Sequence, residues 1–113
     1  MLPKIQISSR SRVSPGSLTL GKGSTLIGRG QSCRIVLEDP SVSRDHGAFT
    51  YYLGILTVED HDSANGTFVN GVRVKRQVLY AGDRVAVGEF KIVVTSGSEL
   101  AGRHDVRSSL IAS

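Results

Sequence analysis

The sequence contains no tryptophan, and only three Tyr and three Phe stand among its 113 residues. A protein that grips nucleic acid by stacking bases needs an aromatic platform, and 5% aromatics, mostly in strand-like runs, supply none, so no nucleic-acid partner is expected. A single cysteine, Cys33, excludes an internal disulfide. Nothing near it marks a reactive thiol, and its place just before Ile35 and Leu37 predicts a small apolar residue packed inward. No run is long and apolar enough to cross a bilayer, and the start Met1-Leu2-Pro3-Lys4 lacks the apolar core of a signal peptide. The expected location is therefore the cytoplasm, with no membrane partner. Acid is missing from the first third: no Asp or Glu precedes Glu38, while Lys4, Arg10, Arg12, Lys22, Arg29 and Arg34 all do. With a net charge of +4, this asymmetry favours an anionic partner, although a charge run is more often a solvated face.

What is present is a set of short β-branched and apolar runs between turn signals. They lie at residues 4–8, 17–20, 24–27, 34–37, 48–52, 55–59, 67–69, 72–74, 84–87 and 90–95. Runs spaced this regularly, with 13 Gly and no sustained 3.6-residue period, predict an all-β fold of the sandwich or barrel class with loops at its ends. Leu56 and Val58, like Val85 and Val87, recur at every second residue, as a half-buried strand requires. Phe90, Ile92 and Val94 share one face of the last run, and the apolar Val93 between them predicts a strand covered on both sides. Of the adjacent Tyr51 and Tyr52, one is expected in the core and the other outside. The pattern stops after Thr95, so the expected organisation is one domain over residues 1–95 and a tail or linker start over 96–113.

Polar residues that break the strand pattern gather in three segments: Gly28-Arg29-Gly30, Ser41-Val42-Ser43-Arg44-Asp45-His46, and Ser63-Ala64-Asn65-Gly66. Loops at one end of a sandwich converge, and these would offer two guanidiniums, a hydroxyl and a carboxamide. Such a set suits a phosphate carried on a peptide: Arg takes phosphate oxygens in a fork, Ser adds a neutral donor, and Asn pairs with a peptide backbone. The third segment runs on into SANGTFVNG, where two Asn-Gly dipeptides enclose only Thr67-Phe68-Val69. A strand of three residues does not need a purpose-built hairpin turn at both ends, so one turn has another task.

Gly28-Arg29, Ser43-x-x-His46, Asn65-Gly66-Thr67 and Asn70-Gly71, in this order and spacing, resemble the forkhead-associated (FHA) domain, a phosphothreonine-peptide binding module. The resemblance covers about residues 24–95 and implies that family's two-sheet β-sandwich of eleven strands with ligand loops at one end. It implies that Arg29 and Ser43 hold the phosphate, that Arg44 adds a second contact, and that Asn65 holds the peptide main chain. Gly28, His46, Gly66, Thr67, Asn70 and Gly71 become structural support, with His46 a brace between loops. Asn70-Gly71 then closes a hairpin, and Asn65-Gly66 is the spare turn that presents Asn65. The implied function is non-enzymatic and cofactor-free: recognition of phosphothreonine on a partner protein, downstream of a Ser/Thr kinase, in signalling or assembly.

One position departs from the family. Many relatives carry Ser or Thr just before this Asn, and here it is Ala64, with the anion-repelling Asp62 nearby and Arg44 to offset it. Both lean towards the alternative, a phosphate-independent interaction or oligomerisation domain of the same fold; intact Arg29, Ser43 and Asn65 lean against it. Ser43 and His46 do not make a hydrolase pair, because no nucleophile elbow surrounds the serine and no orienting acid can be identified. Asp60-His61-Asp62 is not expected to hold a metal, since successive strand residues face opposite ways; a polar strand end entering a turn is the simpler account.

Overall fold

The computed structural model describes residues 2–9 and 16–99. Eleven strands form: β1 (Lys4–Ser8), β2 (Gly16–Thr19), β3 (Gly23–Gly28), β4 (Ile35–Val36), β5 (Gly47–Tyr52), β6 (Ile55–Asp60), β7 (Thr67–Val69), β8 (Val72–Val74), β9 (Arg76–Leu79), β10 (Arg84–Val87) and β11 (Phe90–Ser96). One sheet has six strands in the order β2-β1-β11-β10-β7-β8, the other five in the order β4-β3-β5-β6-β9. This is the expected all-β sandwich. No helix among the described residues is long and apolar enough to cross a membrane.

Both sheets feed one core. Ile5, Val85, Val87, Ile92 and Val94 come from the six-stranded sheet, Ile27, Phe49, Leu56, Val58 and Leu79 from the other, and all are at most 1% exposed. Alternation along each strand produces this, since an apolar residue at every second position gives each sheet one dry face. Tyr51 is buried and its neighbour Tyr52 is 59% exposed, as the alternation predicts. Cys33 is buried, and its thiol donates to the Arg44 carbonyl at 3.4 Å.

Two expectations change. The last strand is not covered on both sides: Val93 is only half-buried, and Lys91 and Thr95 on the same outer face are exposed. β11 lies inside the six-stranded sheet, and among the described residues no second layer covers that sheet's outer face. The sequence reading also missed β9, which has two polar residues at its start and no clean alternation. It forms because its backbone completes the five-stranded sheet against β6, with Arg76 opposite Glu59 at the edge.

The β7–β8 turn shows local chemistry setting geometry. Asn70 (φ 50) and Gly71 (φ 85) both lie in the left-handed region, the requirement of a type I′ turn, whose twist matches the strands it joins. Part of the expected tail is ordered against the domain: Ser98 N–H donates to the Leu79 carbonyl and Glu99 N–H to that of Gly54, and the Tyr51 hydroxyl donates to the Glu99 carboxylate. Residues 100–113, the remainder of the expected tail, lie outside the described residues.

Candidate functional site

One end of the sandwich collects the three polar segments. Ile27, near the end of β3, pairs with Gly47 at the start of β5, which pairs in turn with Asp60 at the end of β6. The segments that leave or enter these strands, residues 29–34, 37–46 and 61–66, must therefore emerge side by side. The six-stranded sheet contributes the β10–β11 turn, where Glu89 N–H donates to Ser41 Oγ at 3.0 Å.

Arg29 and Ser43 are joined through the backbone. Arg29 N–H donates to the Ser43 carbonyl at 2.9 Å, and Gly30 N–H to the Arg44 carbonyl at 3.1 Å. This contact needs a glycine at position 28, because a Cβ there would sit 2.1 Å from the Arg44 carbonyl oxygen. The exposed Arg29 side chain is aimed by its Nε, which donates to the Val42 carbonyl at 3.1 Å. Its terminal nitrogens have no partner among the described residues, and Arg44 is likewise exposed and unpaired. An open groove of about 770 Å³ runs beside them, lined also by Gly30, Gln31, Glu38, Asp39 and Pro40.

Ser43 Oγ accepts the Ala64 N–H at 2.9 Å, which leaves its own proton free to donate outward. Asn65 is exposed, and its Nδ2 donates to the Ser41 carbonyl at 3.0 Å. Arg29, Ser43 and Asn65 are thus linked across 36 residues of chain by three short hydrogen-bonded steps. Gly66 (φ 87) turns the backbone just after Asn65, while Asn65 itself keeps a negative φ. The two Asn-Gly pairs therefore differ: only Asn70-Gly71 is a hairpin turn.

His46 is fully buried between the loops. Its Nδ1 accepts the Ser43 N–H at 3.1 Å, and Nε2 lies 2.9 Å from the Gly66 carbonyl. An acceptor on one side and a carbonyl on the other assign the ring proton to Nε2. The ring holds the Ser43 loop against the Asn65 loop, and its nitrogens are both occupied in doing so.

Sequence reasoning missed a second brace, Asp60. Its carboxylate accepts the Ser63 N–H at 3.1 Å, the Ser63 hydroxyl, and the Thr67 hydroxyl at 2.7 Å, while Ser63 Oγ accepts the Gly66 N–H at 2.9 Å. Burial would raise the Asp60 pKa, but the Ser63 and Thr67 hydroxyls, the Ser63 N–H and nearby His46 outweigh it and hold the carboxyl below its ordinary value. Asp39 does similar work for the first loop, accepting the Ser41 N–H at 2.8 Å and the Ser41 hydroxyl at 2.6 Å. A signal existed for both: Asp followed two or three residues later by Ser is the pattern of a side chain closing its own turn. Asn70 also exceeds its expected part, since its carboxamide donates to Asp83 at 3.1 Å and accepts the Arg84 N–H at 3.0 Å, tying its hairpin to the β9–β10 turn.

Comparison with known proteins agrees with the fold and the loop motifs. The profile of the FHA domain family matches residues 25–88. The chain is 39% identical over 93 residues to an ABC transporter ATP-binding/permease protein of Mycobacterium tuberculosis, covering 80% of this chain and 11% of that protein. It is 40% identical over 78 residues to the glycogen accumulation regulator GarA of Mycolicibacterium smegmatis, covering 69% of this chain and 49% of GarA. It thus spans about half of the regulator and about a tenth of the transporter. Among solved structures, an FHA domain studied for phosphothreonine-dependent interactions superposes with a TM-score of 0.72 at 31% identity, covering 80% of this chain and 94% of that one. With its profile match over more than half the chain, its eleven-stranded sandwich and its converging loops, this protein belongs to the FHA domain family.

Proposed function

We propose that the chain is a non-enzymatic reader of phosphothreonine on a partner protein, placed downstream of a Ser/Thr kinase in signalling or assembly. Arg29, Ser43 and Arg44 hold the phosphate, and Asn65 holds the peptide main chain beside it. The observation that carries this reading is the union of unpaired guanidinium nitrogens, a free hydroxyl proton and an exposed carboxamide at one end of the sandwich. A phosphothreonine brings a charge of about −1.5 to −2 and three acceptor oxygens, the complement of that donor set. Catalysis finds no support, since both nitrogens of His46 are engaged with backbone and neither faces the Ser43 hydroxyl. The relative studied for phosphothreonine-dependent interactions supports the ligand class. Selectivity for threonine over serine would come from burying the γ-methyl group, worth about 0.8 kcal/mol.

The test is a titration against a degenerate phosphothreonine peptide library, with its unphosphorylated twin alongside. Binding confined to the phosphorylated library is expected, and equal binding to both would replace this reading with the phosphate-independent interaction domain. Arg29→Ala is expected to abolish measurable binding in a folded protein, a loss of about 2–5 kcal/mol, because Arg29 lies outside the core. Near-normal affinity in that variant would move the phosphate site elsewhere.

A further inference from the structure

The two outer faces of the sandwich differ in charge. On the five-stranded sheet Glu59 stands opposite Arg76, and the rest of that face is uncharged, with exposed Leu26, Tyr52 and Ile55. On the six-stranded sheet the outward positions include Lys4 on β1, Lys91 on β11, Arg84 on β10 and Arg73 on the β8 edge, all exposed. No strand of this sheet carries an outward carboxylate. Glu89, in the β10–β11 turn, lines a groove with Lys91 at one end of the face. Among the described residues, none of the four cationic side chains makes an ion pair with a carboxylate. Lys4, Lys91 and Arg84 stand on three adjacent strands, β1, β11 and β10, about 10 Å across, while the Arg73 side chain lies against Gly66 in a groove shared with Asp60 and Asp62.

We propose that this face rests on an anionic lipid surface. A protein partner of matching charge would need an apolar centre to anchor it, and the larger apolar side chains between the cations, Phe68 and Val93, are both half-buried in their own sheet. A single-stranded nucleic acid would need exposed rings to stack on, which the face lacks, and duplex DNA, which needs only cations, is separated from lipid by the competition below. A bilayer needs neither, since each Lys or Arg near an anionic surface is attracted nearly independently. The orientation leaves function open: the phosphate loops lie at the end of the sandwich, so a sheet face on the lipid holds them beside the membrane and accessible. Resting on a bilayer differs from spanning it, and the absence of an apolar run bears only on the second.

The experiment is co-sedimentation of the chain with vesicles of phosphatidylcholine alone and of phosphatidylcholine mixed with phosphatidylglycerol, at low and high salt. Binding to the mixed vesicles only, falling at high salt, is expected. Arg84→Glu and Lys91→Glu should each lower the partition coefficient at least about fivefold, while thermal unfolding and phosphopeptide affinity stay unchanged. Lys4→Gln, at an exposed strand start, gives a milder version of the same loss. Equal sedimentation with neutral vesicles, unaltered partition of the charge variants, or displacement from vesicles by trace duplex DNA would each overturn the assignment. The phosphopeptide titration reads the other site, so either reading can fail without the other.

Discussion

His46 illustrates how one buried side chain holds two loops together. Both its nitrogens are satisfied by backbone groups from different loops, Ser43 N–H and the Gly66 carbonyl. His46→Ala strands both groups and opens a cavity, so a loss of about 1–3 kcal/mol in unfolding free energy is expected, with phosphopeptide affinity falling because Ser43 and Asn65 lose their spacing. Denaturant unfolding measures the first, and an unchanged midpoint would remove the brace from the account. Ala64 poses the opposite question, what a missing group costs. Its φ is negative, so a β-branched residue meets no left-handed strain there, and its N–H already donates to Ser43 Oγ. Ala64→Thr is expected to tighten phosphopeptide binding by about 0.5–1.5 kcal/mol, roughly two- to tenfold, through one added hydroxyl. Ala64→Val carries the same branch without the hydroxyl, so equal effects of Thr and Val in a titration would put this loop away from the phosphate.

At the scale of the element, two glycines separate crowding from backbone strain. A Cβ on Gly28 would overlap the Arg44 carbonyl and come within 2.9 Å of Cys33 Sγ, so Gly28→Ala must push the β3 end away from the Ser43–Arg44 backbone. Gly71 has open space around it but a φ of 85, so Gly71→Ala meets only the left-handed strain of about 1–2 kcal/mol. The expected outcome is that Gly71→Ala lowers stability with normal phosphopeptide affinity, whereas Gly28→Ala lowers both. Affinity lost equally in the two variants would mean that the hairpin, not the β3 end, positions the site. The strands themselves were largely readable: residues 67–69, 72–74 and 84–87 form over the expected spans because each is bounded by turn residues. β9 was not readable, because its pairing is supplied by β6 and not by its own alternation.

For the molecule as a whole, Asp60 and His61 tie the loops and give stability a pH profile with two limbs. Asp60 has a depressed pKa, so its contribution is complete above the unfolded value of about 3.9 and is lost as pH falls through the folded value. His61 is raised, first by its 2.7 Å contact to Asp45, against burial, and then by Glu59; its contribution is complete below about 6.5 and fades as pH rises through the folded value. The thermal unfolding midpoint should therefore be highest between the two. Asp60→Asn should flatten the acid limb, and Asp45→Asn the other, as should added salt, because Asp45 is largely exposed. An acid limb of unchanged slope in Asp60→Asn would assign acid unfolding to other carboxylates. The sequence by itself determined the fold class, through two-residue alternation between turns, and singled out the polar segments proposed here as the ligand set, through ordered loop motifs, because strand pattern and turn chemistry are local. Only the tertiary structure decided that Asn65 keeps a negative φ, that Asp60 and Asp39 brace the loops, and that Lys4, Arg84 and Lys91 share one face whose strands carry no outward carboxylate. Those outcomes depend on strand order and register, which bring together residues as far apart as 4 and 91, and no local pattern encodes such a distance.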